Sequence, residues 1–327
     1  MTDSQRPNER FNQGVEIVRR MREEIARVVV GQTAITDQVL ACMLAGGHIL
    51  LEGVPGLGKT LLVKALAKTF AGEFSRIQFT PDLMPADVMG HAVFDMKNQT
   101  FSIRRGPVFT HLLLADEINR APAKTQSALL EVMQERQVTI EGESHTLAAP
   151  FMVLATQNPL EQEGTYPLPE AQLDRFLTKV LIDYPSEAEE TAMLTSVTQG
   201  RIGDGLDVSS ITSLIRAETV LALQQLTATI TVDDAVAGYA VRLVRATRDW
   251  PGISVGAGPR GSIALVRLAR AMALMAGREY TTPDDIKRAA LPVLRHRITL
   301  SPEAELEGRS ADHVLGGLID QTAAPRA

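Results

Sequence analysis

The sequence predicts an α/β protein in which a parallel sheet flanked by helices is followed by a smaller all-helical domain. Three observations support this fold class. A short apolar run at 48–52 leads into a glycine-rich loop and then into a segment with helical spacing. From there to Tyr184, strand and helix patterns alternate, which is typical of a parallel sheet. After Pro185 no clear strand pattern follows, and four or five helical patterns take its place.

Length and composition are those of an ordinary globular protein. The chain has 327 residues, of which 45% are hydrophobic and 22% charged, and this is long enough for two domains. No apolar run approaches the roughly 20 residues of a membrane span, and residues 1–12 lack the apolar centre of a signal peptide. We therefore expect a cytoplasmic protein with no membrane insertion. The net charge of −6 argues against broad nucleic-acid affinity, and the one cysteine, Cys42, excludes an internal disulfide.

The elements follow in order from periodicity and capping signals. Residues 1–26 are a helical lead whose apolar positions share one helix face, and 33–44 form a second helix. The lead's apolar positions are Val15, Val18, Met21 and Ile25. The alternating region that follows predicts strands at 75–79, 112–115, 151–156 and 179–182, with a helix at 123–135.

Two segments interrupt the alternation, and each reads as a β-hairpin. The first spans 93–103 around Lys97, Asn98 and Gln99, and the second spans 137–147 with its turn at Glu141-Gly142. A nucleotide-binding core requires neither, and hairpins of this kind are ordinarily solvated decoration.

The helical region begins with a helix predicted at 208–226. Capping signals predict further helices after Thr231, Gly258-Pro259 and Thr282-Pro283. Past Ser310 the residues are small and polar, and we expect a frayed tail. The predicted division is therefore a lead at 1–26, an α/β core at 27–185, a helical domain at 186–310 and a tail at 311–327.

The segment from Gly53 to Thr60 fits the phosphate-binding loop of nucleoside triphosphatases, also called Walker A. Glycines let successive backbone N–H groups turn toward phosphates, and the following helix N-terminus adds its own N–H groups. Lys59 is expected to reach the β- and γ-phosphates of ATP, and the Thr60 hydroxyl to ligate Mg²⁺. The alternative is a chance match in a glycine-containing loop. The nucleotide-binding residues predicted here are Gly53, Pro55, Gly56, Leu57, Gly58, Lys59, Thr60 and Leu61.

A second motif supports the first. The apolar run 111–115 ends in Asp116 and Glu117, where the carboxyl end of a strand would meet the phosphate loop. Asp116 would hold Mg²⁺, partly through water, and Glu117 would orient and activate the attacking water. This is a Walker B arrangement. The alternative without a function is a solvated acidic loop after a core strand.

Three further side chains are candidates for the nucleotide site, but for each of them the sequence context alone also allows an ordinary structural role. Asn158 ends a strand, where Asn-Pro is by itself a turn signal, but it could contact the attacking water or the γ-phosphate. Arg175 ends a helix before the last strand, where an arginine is usually a surface charge. Arg260 lies just inside a helix start, which is unfavourable for a cation unless an anion is near.

Together these residues resemble the AAA+ ATPases, and within them the MoxR family. The resemblance spans roughly 27–300 and rests on the segments VGQ, GVPGLGKT, FTPDLMPADVMG, ADEINRAP, ATQNP, PLPEAQLDRF and GPR. It implies an AAA+ core with two β-hairpin insertions and a helical lid. It also implies that Val30, Gly31 and Gln32 lie beside the adenine.

The resemblance assigns roles to the three uncertain residues. Asn158 looks like sensor 1, Arg175 like a finger given in trans to the neighbouring subunit's nucleotide, and Arg260 like sensor 2 in the lid. It implies an ATPase with Mg²⁺ that forms a ring, usually a hexamer, and acts as a chaperone on a protein client. A partner with a von Willebrand factor A domain is also implied.

Two other functions remain open at this stage. Related rings with the same insertions act on DNA, but the acidic balance and the lack of an appended DNA-binding domain weigh against a nucleic-acid motor. A nucleotide-gated assembly switch is the other, and the presence of Glu117 and Arg175 weighs against it.

Overall fold

The computed structural model of the chain describes residues 5–54, 56–158, 164–198 and 208–325. The central strands are β1 (Ile49–Gly53), β2 (Phe74–Gln78), β5 (Leu112–Asp116), β8 (Met152–Gln157) and β9 (Thr178–Ile182). The paired short strands are β3 (Gly90–Asp95) with β4 (Thr100–Arg105), β6 (Gln137–Ile140) with β7 (Glu143–Thr146), and β10 (Ile253–Val255) with β11 (Thr299–Leu300).

The helices before the second domain are α1 (Gln5–Ala26), α2 (Thr33–Leu44), α3 (Lys59–Thr69), α4 (Pro85–Met89), α5 (Ala123–Glu135) and α6 (Glu170–Leu173). Those that follow are α7 (Glu187–Thr198), α8 (Ala217–Thr229), α9 (Asp234–Ala246), α10 (Pro259–Met275), α11 (Pro283–Leu294), α12 (Pro302–Leu306) and α13 (Ala311–Gln321).

The central sheet is parallel and has the strand order β2-β5-β8-β1-β9. This confirms the predicted fold class. The strand that bears the phosphate loop lies between β8 and β9, and β5 is on the far side of β8. Because all five strands run the same way, their carboxyl ends share one edge of the sheet. The register pairs Ala115 with Ala155 and Leu51 with Thr156, so the ends of β5, β8 and β1 lie side by side.

Alternate residues of each strand face two separate hydrophobic clusters. On β1, Ile49 and Leu51 face α1, α2, α3 and the helical domain, whereas Leu50 faces α5 and the second hairpin. The near-continuous apolar character of these strands follows from burial on both faces. The core and the helical domain share the first cluster, so the lid packs directly on the sheet's helix-covered face.

Both predicted hairpins are present. The first, β3–β4, follows α4 directly, and the second, β6–β7, follows α5 and turns at Glu141 and Gly142, which both have positive φ. The second hairpin buries Val138 and Ile140 against the sheet, so it is part of the core rather than decoration. The first buries little, and every residue of β4 is exposed.

The helical domain departs from prediction in three places. The region is not purely helical, because β10 and β11 form a short antiparallel pair. The helix predicted at 208–226 begins only at Ala217. In the segment before it, the Leu214 and Ile215 N–H groups donate to the Thr69 carbonyl at the end of α3, at 2.8 and 3.3 Å, instead of forming helical hydrogen bonds. The cap of α9 is Asp233 rather than Thr231, whose backbone instead bonds to the 279–281 segment.

The predicted frayed tail is wrong over most of its length. Ala311–Gln321 form α13, which Ser310 caps and which packs against α9 and α11. Its buried side chains are Val314, Leu315, Leu318 and Ile319. These follow helical spacing, and the small and polar residues between them obscured the pattern. Within the described part of the chain, no helix is both long enough and apolar enough to cross a membrane.

Candidate functional site

The loop between β1 and α3 has the backbone that a phosphate cradle needs. Gly56 and Gly58 have φ of 87° and 71°, a region that residues with a Cβ rarely adopt. Gly58 is the residue before the first turn of α3, so the loop delivers the chain directly into a helix N-terminus. A Cβ built on Gly56 meets no atom within 4 Å, so that side of the loop is open. The prediction for Pro55 lies outside the described residues.

Lys59 folds back over this loop. Its Nζ donates to the Gly53 carbonyl at 2.8 Å. Burial lowers the pKa of Lys59, and the nearby carboxylates of Asp116, Glu117 and Glu52 oppose that shift. The ammonium is therefore held between the loop and the acidic strand ends.

A cavity of about 310 Å³ lies at the carboxyl edge of the sheet and collects most of the predicted site. We call it the phosphate cavity. It is lined by Gly53, Gly56, Leu57, Gly58, Lys59, Thr60, Arg76, Gln78, Asp116, Glu117, Thr156, Gln157 and Asn158. The phosphate loop, the two carboxylates and Asn158 therefore meet in one place, as the parallel topology requires.

Asp116 is held from two sides. The Thr156 hydroxyl donates to its Oδ1 at 2.6 Å, and the Arg76 guanidinium donates to its Oδ2 at 2.7 Å. Thr156 follows Ala155, the residue in register with Ala115, so the hydroxyl comes from the strand end next to Asp116.

Glu117 is fixed by backbone and side-chain contacts together. Its φ of 56° and ψ of 50° are left-handed, and its N–H donates to the Thr156 hydroxyl at 2.9 Å. The Gln78 amide donates to Oε2 at 2.6 Å, and Arg120 forms an ion pair with the same oxygen at 3.1 Å. An uncommon backbone conformation held this way typically marks a functional position.

The segment Val30, Gly31 and Gln32 lies against the phosphate loop. The buried Gln32 amide donates to the Leu57 carbonyl at 2.7 Å, which ties the segment to the loop. Gly31 has a φ of 77°, and a Cβ there would lie 2.7 Å from the Glu189 Cβ on α7. Leu61 packs its side chain on the core instead of lining the cavity.

The donors at the cavity fit a magnesium ion. Thr60 and Asp116 line it together and offer a hydroxyl and a carboxylate, and oxygen ligands of this kind are what Mg²⁺ prefers. The ion keeps several waters in most proteins, which suits a site with few protein ligands.

Arg175 and Arg260 lie elsewhere. They line a second cavity of about 320 Å³ together with Gly46, Gly47, His48, Arg136, Asp174, Arg267 and Arg297 among others. We call it the arginine cavity. It lies before the first residue of β1, whereas the phosphate cavity lies after the last one, and a strand of this length spans roughly 16 Å. Among the residues described, neither arginine lines the phosphate cavity.

Asp174 connects the two parts of the molecule at the arginine cavity. Its Oδ1 accepts from Arg297 Nε at 2.8 Å, and its Oδ2 lies 3.6 Å from Arg260 Nη1. Arg175 next to it donates from Nη1 to the Leu130 carbonyl at 2.6 Å. The core residue that precedes Arg175 is therefore paired with two arginines of the lid.

Three consecutive basic residues after α11 extend this connection. Arg295 donates to the Lys179 carbonyl, a His296 ring nitrogen contacts the Phe176 carbonyl, and Arg297 donates to the Phe176 and Leu177 carbonyls. We call these three residues the latch. Arg297 is only 3% exposed, and burial lowers its pKa. The latch fixes the lid to the segment that carries Arg175.

Sequence reasoning missed Arg76, Gln78, Arg120 and Thr156. Gln78 is in register with Asp116, so the sheet order, once known, places its side chain beside the acidic pair. Thr156 had a usable signal because it precedes Asn158 by two residues, and side chains two apart in an extended segment share one face. Nothing in the local pattern marks Arg76 or Arg120.

Comparison with known proteins agrees with the geometry. The profile of the ATPase family associated with various cellular activities (AAA) matches residues 48–178, and that of the AAA lid domain matches 245–316. The Bacillus subtilis protein YeaC is 46% identical over 303 residues, covering 93% of each chain. Chaperone MoxR1 of Mycobacterium tuberculosis is 42% identical over 314 residues, covering 93% of this chain and 81% of that protein.

A solved structure shares the whole fold. The crystal structure of a protein described as an ATPase from Cytophaga hutchinsonii superposes with a TM-score of 0.92, at 40% identity, over 100% of both chains. The phosphate loop, the acidic strand end, the lid and these relatives together identify the chain as a member of the MoxR family of AAA+ ATPases.

Proposed function

We propose that the chain hydrolyses ATP with Mg²⁺ and couples the hydrolysis to remodelling or activation of a protein client. The observation that carries this proposal is the convergence of Lys59, Asp116, Glu117 and Asn158 on one cavity at the sheet edge. These are a cation for phosphates, a metal ligand, a carboxylate and a polar amide, which is the set that phosphoryl transfer to water needs.

Each residue has a distinct task. The loop N–H groups and Lys59 bind the phosphates, and Thr60 and Asp116 hold the metal. Mg²⁺, when bound, neutralises charge on the β- and γ-phosphates. Thr156 keeps Asp116 oriented through a 2.6 Å hydrogen bond. Asn158 lines the same cavity and is suited to align the attacking water.

Glu117 is the general base of this proposal. It accepts a proton from the attacking water, a task that requires a carboxylate fixed in direction. Gln78 and Arg120 both hold Oε2, which leaves Oε1 as the oxygen for the water.

Arg175 and Arg260, two of the arginines that line the arginine cavity, complete the site of a neighbouring copy. Arg175 and Arg260 lie together at the opposite end of β1 from their own phosphate loop, so both are suited to act in trans. This supports a ring, and we propose a hexamer. We propose that Arg260, to which the resemblance gives the sensor 2 role, acts on the neighbour's nucleotide.

The client is proposed to be a protein. A relative covering most of the chain is named a chaperone, and the net charge of −6 disfavours a polyanion. A protein with a von Willebrand factor A domain is the proposed partner, on the strength of the family likeness, and the cytoplasm is the proposed location.

The test is a capture experiment with Glu117→Gln in Mg-ATP. The amide keeps the shape of the side chain but cannot take the proton, so the variant should hold ATP and retain bound client. Proteins recovered with this variant but not with Lys59→Ala would be the clients. Turnover by Glu117→Gln at the wild-type rate would refute the assignment of the base. ATPase stimulation by DNA would favour the nucleic-acid motor.

A further inference from the structure

The first hairpin displays an apolar face to solvent. Among the described residues, the exposed phenylalanines are Phe94 and Phe101, at 48% and 75%, and both lie on this hairpin. They are in register across β3 and β4, and their ring centroids are 5.1 Å apart. Ile103 shares this face, and Met96 in the turn is 85% exposed. Contiguous exposed apolar surface of this kind marks an interaction site.

The other face of β4 is polar. Thr100, Ser102 and Arg104 alternate with Phe101 and Ile103, and side chains of a strand point to opposite faces in turn. Within the described ranges β4 pairs with β3 alone, so the N–H and C=O groups on its outer edge have no strand partner there. An edge of this kind is a template for another extended chain.

The charge of the hairpin is opposite to that of the chain as a whole. Residues 90–105 contain Lys97, Arg104 and Arg105 against one carboxylate, Asp95, in a chain of net charge −6. Asp95 is engaged in its own turn, since its oxygens accept from the Lys97 and Asn98 N–H groups and from the Asn98 amide. The surface therefore favours a partner that brings carboxylates.

We propose that the outer edge of β4 binds an extended polypeptide segment of the client in which apolar and acidic residues alternate. The added strand would place its apolar side chains beside Phe101 and Ile103 and its carboxylates beside Arg104. Main-chain hydrogen bonds to an edge give affinity, and alternate side-chain contacts give specificity. This proposal rests on the proposed function, because it names the site at which the client is held.

A polypeptide fits this surface better than a nucleic acid does. Nucleobases bind by stacking on open aromatic faces. Here the two phenylalanine rings lie against each other at 58°, and Ile103 and Met96 are aliphatic. Arg105 is also drawn away, since its guanidinium lies over the Phe109 ring at 5.1 Å.

The experiment measures binding of labelled synthetic peptides to the full chain by fluorescence anisotropy, with Mg-ATP present. The probe is a short peptide of alternating valine and glutamate. The comparison peptides have the same composition in two blocks, or lysine in place of glutamate. Phe101→Ser and Arg104→Glu are the test variants. Tyr280→Ser, which removes an exposed aromatic of the lid, is the matched control.

We expect the alternating acidic peptide to bind, and Phe101→Ser to weaken it about tenfold while Tyr280→Ser does not. Arg104→Glu should reverse the preference toward the lysine peptide. Equal binding of the block peptide, or no loss in Phe101→Ser, would overturn the proposal. So would a change of oligomeric state in Phe101→Ser, or competition by single-stranded DNA. Basal ATPase of Phe101→Ser should match wild type, and an absent ATPase in wild type would instead refute the proposed function.

Discussion

The side-chain amide of Gln78 donates a hydrogen bond of 2.6 Å to Oε2 of Glu117, across the gap between β2 and β5. Glu117 sits in a left-handed conformation just after β5, so its backbone alone does not determine where the carboxylate points. Gln78 supplies that direction from the neighbouring strand.

Gln78→Ala should therefore lower ATP turnover with little change in ATP affinity. The side-chain hydrogen bonds of Gln78 within the described residues are with Arg76 and Glu117, and general-base catalysis is worth roughly 10²–10⁴ in rate, of which orientation is a part. Steady-state ATPase assays and nucleotide titrations would separate the two quantities. Arg120 holds the same oxygen, so the loss should be smaller than in Glu117→Gln. A variant with weakened ATP binding and normal turnover would contradict this role.

Lys59→Ala should abolish tight nucleotide binding, because the phosphates lose the cation held over the loop. Bound ATP stabilises the fold by mass action, about 2.7 kcal/mol at a hundredfold excess over Kd. Wild type should melt at a higher temperature with Mg-ATP, and the variant should not. If Mg-ATP raises the melting temperature of both proteins equally, this loop does not bind the nucleotide.

Arg175→Ala and Arg260→Ala should each lose turnover while keeping their own ATP binding. Arginine fingers in related enzymes are worth on the order of 10³–10⁵ in rate. Mixing either variant with Lys59→Ala should restore some activity, since some interfaces then join an intact loop to intact arginines. If the mixed assemblies have no ATPase activity, the arginine acts on the nucleotide of its own chain or has a structural role.

Arg297→Ala should destabilise the protein and also reduce turnover. The substitution removes one donor from Asp174 and from the Phe176 and Leu177 carbonyls. Arg297 is buried, but Asp174 is 29% exposed and still faces Arg260, so the cost should lie below the roughly 3–5 kcal/mol of a fully buried pair and above that of an exposed pair. The matched control is Arg309→Ala, which breaks an exposed pair with Glu307 and should cost at most about 1 kcal/mol. Urea denaturation measures both values. Equal losses in the free energy of unfolding for the two substitutions would show that the latch stabilises the fold no more than an exposed ion pair does.

Stability should fall as the pH drops from about 6.5 to about 4, in part through His48. Burial lowers the pKa of His48 to about 4, and its ring contacts the Met133 carbonyl and the Val153 N–H. In that pH window the unfolded chain binds a proton that the folded chain rejects, so this group destabilises the fold by at most about 1.4 kcal/mol per pH unit. Above the unfolded pKa it has no effect. His48→Gln should show a shallower pH dependence in urea denaturation, and identical slopes would contradict the prediction.

The elements that the sequence predicted well are those whose signals are local. The phosphate loop, the acidic strand end and the caps at Thr282 and Pro259 each depend on a few adjacent residues. Strand order is not local, so the contacts of Gln78 and Arg76 with the acidic pair could not be read beforehand. The separation of Arg260 from the phosphate cavity likewise depends on how the lid packs on the sheet, which is not a local signal.

The tail and the 208–216 segment show the limits of composition. α13 was hidden because its small and polar residues together outnumber its buried ones, although the buried ones have helical spacing. The 208–216 segment has helix-compatible residues, but the unpaired carbonyl of Thr69 and the Glu24 carboxylate accept its N–H groups instead. Tertiary hydrogen bonding therefore decided the conformation of the 208–216 segment, and no window of sequence contains that information.

The latch has a mechanical consequence. Arg295, His296 and Arg297 all contact backbone carbonyls of the segment that leads from Arg175 into β9, so they tie the lid to the core at that end of the chain. If the chain assembles as the proposed ring, we expect relative motion at the interfaces between copies rather than between the core and the lid of one copy. A covalent cross-link between two neighbouring copies should then stop ATP turnover, whereas a cross-link between a lid and its own core should leave turnover unchanged.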